Sequence, residues 1–338
     1  MRITVIGAGS WGTAVSWMLG GKGHAVRLWS REVEIAEGIN STHRNPMYLP
    51  DVVLDPTVFA SPDMEEALHG AEAIVMVTPS IGVRSSAEAM KPFLATDTPV
   101  VILSKGVEGE TNLLMTEVLE DVFGNRGRIA GLSGPNHAEE VSRGVPSATV
   151  VAAYEPKIGE LFQDIFMTPF FRVYTNPDVT GVELAGASKN IVAISAGICD
   201  GLGYGDNTKA TLMTRGLAEM SRLGSAVGAN PLTYMGLSGM GDLIATCTSR
   251  HSRNRNLGEM IAKGGTMQEF YDQTHMVAEG ALACVTVDEL AKREGLELPI
   301  TQQVRAILYD GVPVSSAQVA LLGRGAKDEL HGLGLIVD

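Results

Sequence analysis

The feature that most constrains this chain is a glycine-rich turn directly after its first apolar segment. Gly7, Gly9 and Gly12 follow the strand-like run 3–6 and open a segment of helical length. The first glycine permits a tight turn, the second lets backbone approach a pyrophosphate, and the third lets the helix pack closely on the strand. A helix N-terminus also offers unpaired N–H groups to phosphate. The turn therefore predicts dinucleotide binding.

Short β-branched runs alternate with segments of helical length through about residue 175. Nearly all-apolar strands that alternate with helices are typical of a parallel sheet covered on both faces. The predicted strands are 3–6, 25–29, 73–77, 99–103, 128–132 and 148–152, and the predicted helices between them include 11–20, 64–68, 83–90 and 113–122.

The pattern becomes helical after residue 178, with glycine and proline between the helices. The predicted helices there are 182–198, 208–223, 256–261, 278–293, 300–309 and 314–322. We therefore expect a Rossmann-type α/β domain at 1–178, a doubly wound and mostly parallel sheet that binds NAD(P). An all-α domain that binds substrate and carries the catalytic group is expected at 179–338.

Composition narrows the possible partners. The chain has 338 residues and a formal net charge of −13, which argues against nucleic acid or an anionic membrane because both need a basic surface. Three cysteines without a CxxC pair indicate reduced thiols, and the seven histidines show no metal-binding spacing. The short N-terminal apolar run does not resemble a secretory signal, and no run approaches the roughly 20 residues of a membrane span. We expect a cytoplasmic protein without a metal.

The end of the second predicted strand bears on which dinucleotide binds. NAD-binding folds usually carry an acidic residue there, which holds the ribose 2′-hydroxyl. This chain has Ser30 and Arg31 instead, a hydroxyl and a guanidinium suited to a 2′-phosphate. The pattern favours NADPH over NADH. The alternative is a solvated Arg31 paired with Glu32 or Glu34.

Other strand ends supply small polar or glycine-bearing loops at 78–80, 104–106 and 133–136. Ligands of open α/β sheets bind beyond the carboxyl ends of the strands. Lys105 is the one cation in these loops, and we expect it near the nicotinamide, where it could meet an anionic substrate. The alternative is a solvated loop lysine.

Lys189 is the only charged residue in the apolar segment 184–199. Ala185, Gly186 and Ala193 would share its side of a helix, and their small size leaves room for a ligand. Burial lowers the pKa of a lysine toward the range useful for proton transfer.

A Lys189-Asn190 pair in a helix after a dinucleotide fold suits carbonyl–alcohol chemistry. The lysine can donate a proton to the carbonyl oxygen, or act as base in the reverse direction. Asn190 can add a hydrogen bond to the same oxygen. The alternative is a lysine that reaches solvent or pairs with Glu183.

The segment 250–256 carries three arginines without an acid. Guanidinium groups bind phosphate bidentately, and Ser252 and Asn254 add neutral donors. The segment therefore favours a small phosphorylated substrate over an exposed loop or an RNA contact. Upstream, Asp242 lies in a predicted flexible turn at 239–243 and could orient Lys189 or a substrate hydroxyl.

Eight segments in order along nearly the whole chain resemble the bacterial NAD(P)-dependent glycerol-3-phosphate dehydrogenases. They are VIGAGSWGTA (5–14), SKG (104–106), SGP (133–135), SKN (188–190), TRGLAEM (214–220), GDL (241–243), SRNR (252–255) and LGR (322–324). The resemblance implies reversible reduction of dihydroxyacetone phosphate to sn-glycerol 3-phosphate, for glycerophospholipid synthesis. It also makes a homodimer plausible, with NADP(H) preferred and NAD(H) possible.

The resemblance also implies roles for individual residues, with Lys189 as the general acid/base. Asn136 stands where many members of the family have Thr or Ser. The expected substrate residues are Lys105, Gly134, Asn136, Lys189, Asn190, Asp242, Ser252, Arg253 and Asn254. The expected cofactor residues are Gly7, Gly9, Ser10, Trp11, Gly12, Arg31, Tyr48, Lys105, Ala138, Arg253, Val277 and Glu279.

Two other functions fit part of the pattern. A phosphosugar or 3-hydroxyacid dehydrogenase also joins such a cofactor domain to helices and uses a Lys-Asn pair, but the hydroxyacid enzyme would need to recognise a carboxylate. A cofactor-sensing protein without turnover would have no need of the lone Lys189 inside an apolar helix.

Overall fold

The computed structural model describes residues 1–274, 277–326 and 328–329. The chain forms two compact units. The first holds residues 1–104 and 115–179, and the second holds residues 105–114 and the described residues from 180 onward. The segment 105–114, between two elements of the first unit, therefore packs with the second.

The first unit is an eight-stranded sheet with helices, in the strand order β3-β2-β1-β4-β5-β6-β7-β8. The strands are β1 Arg2–Ile6, β2 Ala25–Trp29, β3 Val58–Ser61, β4 Ala73–Met76, β5 Val100–Ile102, β6 Ile129–Ser133, β7 Ser147–Ala153 and β8 Phe171–Asn176. The helices are α1 Ser10–Gly21, α2 Val33–Thr42, α3 Met64–Leu68, α4 Val83–Met90, α5 Met115–Phe123, α6 Ala138–Val141 and α7 Pro156–Phe166. The predicted doubly wound, mostly parallel sheet is confirmed.

Two edge strands and one strand direction were not predicted. The apolar run of β3 is cut short by Ser61, and β8 alternates buried and exposed side chains, so neither shows the continuous apolar run of the central strands. β7 pairs antiparallel with β6, whereas the other pairs are parallel. The connection between β6 and β7 contains only the four-residue α6. A parallel return usually needs a longer helical crossover.

The central strands are buried on both faces, which explains their apolar composition. Ile3, Val5, Val75 and Val101 have no exposed surface and belong to one core cluster. Because β1, β2, β4, β5 and β6 run parallel, their carboxyl ends lie at one edge of the sheet. The glycine turn and the predicted polar loops at 78–80 and 133–136 therefore share that edge.

The second unit consists mainly of helices in its described residues, apart from segment 105–114, in which Val107 and Leu114 form an isolated antiparallel bridge. Its helices are α8 Val179–Gly201, α9 Asp206–Ala226, α10 Asp242–Thr248, α11 Arg253–Ala262, α12 Met267–Gln273, α13 Glu279–Arg293, α14 Pro299–Tyr309 and α15 Val314–Leu322. By length and composition α8 could cross a membrane, but 89% of its most apolar window is buried in the protein. A helix that is apolar on all sides is typical of a core helix.

Candidate active site

The glycine turn has the geometry that its three glycines predict. Gly7 has φ +114°, and its N–H donates to the carbonyl oxygen of Trp29 at 3.1 Å. A Cβ on Gly12 would overlap the Gly7 carbonyl oxygen, so a side chain there would push α1 away from the turn. A Cβ on Gly9 would meet nothing within 4 Å. The backbone at Gly9 is therefore open to a ligand, as a pyrophosphate requires.

The N-terminus of α1 suits an anion. Gly9 occupies the N-cap position without a side-chain cap, and the first turn contains no acidic residue. The first turn of a helix leaves N–H groups that need partners. Ser10 and Trp11 are the first two residues of α1. The residues present in this turn thus fit a dinucleotide phosphate.

Asn45 fixes a loop against the glycine turn, and the sequence analysis missed it. The side chain is fully buried. Its Nδ2 donates to the carbonyl oxygen of Ala8 at 2.8 Å and to Thr13 Oγ1 at 2.9 Å, while its Oδ1 accepts the N–H groups of Met47 and Tyr48 at 3.0 Å. Tyr48, an expected cofactor residue, is thereby tied to the turn.

Arg31 adopts the arrangement that the sequence analysis gave as its alternative. Its guanidinium pairs with Glu32 at 2.9 Å, and its side chain is 84% exposed. The Ser30 hydroxyl donates to the backbone carbonyl of Glu32 at 3.0 Å. Exposed ion pairs of this kind contribute little to stability, so Arg31 can exchange Glu32 for another anion at small cost.

The loop after β6 holds three more expected site residues. A Cβ on Gly134 would lie 2.9 Å from the Cα of Thr149, so glycine permits the close approach of β7. Asn136 Nδ2 donates to the carbonyl oxygen of Ala148 at 3.2 Å. Its Oδ1 is buried without a hydrogen-bond partner among the described residues and could accept a ligand hydroxyl. Ala138 is buried and begins α6.

In the second unit, one buried carboxylate binds two ammonium groups. Lys189 Nζ donates to Asp242 Oδ1 at 2.8 Å and to Thr246 Oγ1 at 2.5 Å. Lys105 Nζ donates to Asp242 Oδ2 at 2.6 Å. Lys189 is 6% exposed and Asp242 2% exposed. The sequence left open that Lys189 reaches solvent or pairs with Glu183. The structure instead buries Lys189 and pairs it with Asp242.

The electrostatics of this cluster suit proton transfer near neutral pH. Burial lowers the pKa of Lys189 to about 8, although the charge of Asp242 opposes the shift. Burial alone would raise the pKa of Asp242, but Lys105 and Lys189 outweigh it and hold that pKa below its usual value. At pH 7, Lys189 is mostly an ammonium and Asp242 a carboxylate.

The predicted flexible turn at 239–243 is wrong. Leu237–Gly241 forms a π-helical turn that continues into α10, so Asp242 is the first residue of a helix. A Cβ on Gly239 would overlap the backbone of Tyr234, which explains the glycine by packing rather than by flexibility. Thr246 was missed, although its spacing of four residues from Asp242 places both on one helix face.

Two consecutive hydrogen bonds, from Gly280 to Asn254 and from Asn254 to Asn190, fix the orientation of both side-chain amides. The N–H of Gly280 donates to Asn254 Oδ1 at 2.8 Å, which leaves Asn254 Nδ2 to donate to Asn190 Oδ1 at 3.0 Å. The Asn190 amide nitrogen consequently remains as a donor without a partner among the described residues. Such a donor can bind a carbonyl oxygen.

The predicted arginine loop is largely the first turn of α11. The Ser252 hydroxyl caps this helix by accepting the Arg255 N–H at 3.2 Å. Arg255 also donates to Asp200 at 2.5 Å and to Glu259 at 3.2 Å, so it is a structural ion-pair residue rather than a phosphate ligand. Arg253 is exposed and forms no ion pair within the described part of the chain.

The remaining expected cofactor residues lie around the start of α13. Val277 lies two residues before α13, and Glu279 is the first residue of that helix. The described residues contain no group of three or more His, Cys, Asp or Glu that could hold a metal ion. Cys199, Cys247 and Cys284 are free thiols.

Two family models match the chain. The model described as NAD-dependent glycerol-3-phosphate dehydrogenase N-terminus matches residues 2–158, and the model for the C-terminus of the same enzyme matches residues 178–318. Curated relatives named glycerol-3-phosphate dehydrogenase, NAD(P)+, agree. The relative from Moorella thermoacetica is 48% identical over 97% of this chain and 98% of its own, and the one from Salinibacter ruber is 47% identical over 97% and 96%.

Solved structures agree with the family models. The glycerol-3-phosphate dehydrogenase structure from Coxiella burnetii superposes with a TM-score of 0.92 at 37% identity and covers 96% of this chain and 99% of its own. The yeast enzyme gives 0.81 at 27% identity, with 95% and 99% covered. The chain belongs to the NAD-dependent glycerol-3-phosphate dehydrogenase family.

Proposed function

We propose that Lys189 is the general acid/base in the reaction of this family, the interconversion of dihydroxyacetone phosphate and sn-glycerol 3-phosphate with NAD(P)H. The observation that carries the proposal is the buried ammonium of Lys189 on Asp242. During reduction Lys189 donates a proton to the carbonyl oxygen of the substrate. In the reverse direction it accepts the hydroxyl proton.

Asp242 and Thr246 hold Lys189 in position for that transfer. Asp242 keeps the ammonium charged despite burial, and Thr246 accepts a second N–H, so two of its three N–H groups are bound within the protein. The third is available to the substrate oxygen. Lys105, with 21% of its side chain exposed, stays close enough to solvent to contact the substrate.

Asn190 is proposed as the second donor to the substrate oxygen. The hydrogen bonds from Gly280 through Asn254 occupy the side-chain oxygen of Asn190, so its side-chain N–H groups rather than its oxygen are left for the substrate. A donor aimed at developing negative charge stabilises the transition state. Asn254 therefore acts mainly by orienting Asn190, and its second N–H is left for substrate.

The phosphoryl group is proposed to bind at the N-terminus of α11. Ser252 caps this helix, its first turn holds no acid, and Arg253 is an exposed guanidinium. A helix N-terminus and a guanidinium both favour a phosphate dianion. In the first unit, Gly134 and the unpartnered Asn136 oxygen are proposed to contact the substrate hydroxyl.

A nicotinamide cofactor is used by this family, and the glycine turn with α1 fits its pyrophosphate. When bound, the nicotinamide supplies a hydride. The proposed contacts from this chain are Gly7, Gly9, Ser10, Trp11, Gly12, Arg31, Tyr48, Lys105, Ala138, Arg253, Val277 and Glu279. Preference for NADP(H) is proposed from Ser30 and Arg31, since a 2′-phosphate could replace Glu32 as the partner of Arg31.

The wider setting is also proposed. The 1–178 region serves as the cofactor domain and 179–338 as the substrate and catalytic domain. The enzyme works in the cytoplasm as a homodimer without membrane contact, and its product feeds glycerophospholipid synthesis.

Absorbance at 340 nm tests the substrate class directly. With NADPH, dihydroxyacetone phosphate should be reduced, whereas 3-oxo acids that carry a carboxylate instead of a phosphoryl group should not. Saturable reduction of a 3-oxo acid, with none of dihydroxyacetone phosphate, would overturn the proposal.

A further inference from the structure

Helices α8 and α11 approach each other so closely that backbone meets backbone. A Cβ atom on Gly197 would overlap the carbonyl oxygen of Arg255 and lie 2.7 Å from its carbonyl carbon. A Cβ atom on Gly258 would overlap the carbonyl oxygen of Ile194 and lie 2.9 Å from its carbonyl carbon. Rotation of a side chain could not relieve an overlap with such a Cβ, because the opposing atoms belong to the backbone.

The close contact continues toward the C-terminal ends of both helices. A Cβ on Gly201 would lie 2.6 Å from the Cβ of Ala262 and 2.8 Å from the carbonyl oxygen of Glu259. The contacting positions recur every three or four residues, as expected of one helix face. Because Asn190 contacts Asn254 at the start of α11 and Gly201 contacts Ala262 at its end, the two helices run in the same direction.

The functional groups lie at the N-terminal end of this contact. Asn190 on α8 accepts a hydrogen bond from Asn254 on α11 at 3.0 Å. Lys189 directly precedes Asn190, and Ser252 caps α11 two residues before Asn254. The start of α13 is equally close, since a Cβ on Gly280 would lie 2.5 Å from the Asn190 carbonyl oxygen. The ammonium of Lys189 and the N-terminus of α11 are therefore fixed relative to each other.

We infer that Gly197, Gly201 and Gly258 are positioning residues that set the separation between the Lys189 ammonium and the N-terminus of α11. This inference rests on the proposed function, in which the first group meets a ketone oxygen and the second meets a phosphoryl group. That fixed separation selects small ketones whose carbonyl and phosphoryl groups lie as far apart as in dihydroxyacetone phosphate.

The separation matters because such a substrate must contact the Lys189 ammonium and the N-terminus of α11 at the same time. One methylene joins its carbonyl carbon to the ester oxygen of the phosphate, so the substrate cannot stretch to follow a displaced helix. A misplacement of about 1 Å at a reacting centre can cost roughly 10²-fold in rate. The Lys189 site and the N-terminus of α11 should each remain intact when the helices shift apart, because neither Lys189 nor Ser252 contacts the substituted glycine.

The variant Gly197→Ala tests this inference with three measurements on the full-length enzyme. The first is kcat/KM for dihydroxyacetone phosphate. The second is kcat/KM for dihydroxyacetone, which has the ketone but no phosphoryl group. The third is the inhibition constant of inorganic phosphate against dihydroxyacetone phosphate. Gly21→Ala is the matched control, because Gly21 lies in helix α1 and a Cβ there meets nothing within 4 Å.

The inference predicts that kcat/KM for dihydroxyacetone phosphate falls about 10- to 100-fold, while the other two quantities stay within about twofold of wild type. A general folding defect would instead lower both kcat/KM values by the same factor. Equal falls of both kcat/KM values together with a raised inhibition constant in a folded variant, or no change in any of the three quantities, would overturn the inference. Wild-type enzyme inactive with dihydroxyacetone phosphate would refute the proposed function instead.

A milder variant covers the case in which Gly197→Ala does not fold. In Gly201→Ala the added Cβ would lie 2.6 Å from the Cβ of Ala262 and 2.8 Å from the carbonyl oxygen of Glu259, a smaller overlap than at Gly197, so the variant should fold and show the same selective loss to a smaller degree. Adding Ala262→Gly removes that nearest atom and should recover part of the activity with dihydroxyacetone phosphate. A selective loss that Ala262→Gly does not relieve would contradict a role in helix spacing.

Discussion

The carboxylate of Asp242 joins the ammonium groups of Lys189 and Lys105, one on each oxygen, at 2.8 and 2.6 Å. A buried charge is costly unless it is paired and hydrogen-bonded. Asp242 supplies the pairing for two lysines, and the cluster keeps a net positive charge that suits an anionic substrate. In the proposed reaction, the Lys189 ammonium of this cluster donates its proton to the carbonyl oxygen of the substrate.

Asp242→Asn should lower kcat for reduction by at least about 10²-fold, because two ammonium groups lose their shared counter-charge. Loss of the carboxylate removes the charge that opposes the lowering of the Lys189 pKa. The pH at which activity falls should therefore shift to lower pH, as measured by a kcat–pH profile. The exposed Asp51→Asn provides the control. An unshifted profile would show that Asp242 does not support the charge of Lys189.

Thr246→Val should reduce kcat by roughly tenfold with little change in KM, because the Lys189 ammonium loses a fixed acceptor and its direction is less well defined. Thr246→Ser keeps the hydroxyl and should recover most of the activity. Steady-state kinetics on both variants measure the effect. Equal losses in the Val and Ser variants would point to packing of the methyl group instead.

Arg31→Ala should raise KM for NADPH at least about tenfold and leave KM for NADH within about twofold, since only NADPH carries a 2′-phosphate for the guanidinium. NADH serves as the internal control. Arg31 is largely exposed, so the variant should fold normally. Equal changes for the two cofactors would remove the basis for the proposed preference.

Glu219 should make folding stability depend on pH near neutrality. It accepts the N–H groups of Ile300 and Thr301 at 2.8 and 3.3 Å at the start of α14, and burial raises its pKa to about 7. Because the pKa of Glu219 is higher in the folded state than the unfolded value near 4.5, the protonated carboxyl contributes its full stabilisation of the fold below pH 4.5. This contribution is lost as the pH rises toward and through 7. The loss amounts to at most about 3 kcal/mol.

Thermal denaturation from pH 5 to 8 tests this expectation. The Tm of wild type should fall with rising pH more steeply than that of Glu219→Gln, because glutamine does not ionise. Glu160→Gln, an exposed substitution in α7, should follow wild type. Identical slopes for wild type and Glu219→Gln would show that the carboxyl does not titrate in this range.

The sequence predicts the features that depend on local pattern. The apolar runs identify the central strands, and the spacing of Gly7, Gly9 and Gly12 identifies the turn, because each glycine answers a constraint within a few residues. Lys189 is likewise visible as a lone charge in an apolar helix. These predictions needed no knowledge of which distant segments meet.

Features that depend on contacts between distant residues could not be predicted. Asp242 lies 53 positions from Lys189, and the sequence named it as a group that could orient either Lys189 or a substrate hydroxyl without deciding between them. Asn45 gives no local sign that it contacts Ala8 and Thr13, 37 and 32 positions away. Arg255 lies in the segment predicted to bind phosphate, and the sequence gives no sign of its ion pair with Asp200, 55 positions away.

The most direct test of the account is turnover of Lys189→Ala with dihydroxyacetone phosphate and NADPH, measured beside its NADPH dissociation constant. The exposed Lys157→Ala is the control. We predict a fall in kcat of roughly 10²–10⁴-fold, the usual contribution of a positioned acid/base, with a dissociation constant within about twofold of wild type. Turnover within about threefold of wild type would contradict the assignment of Lys189.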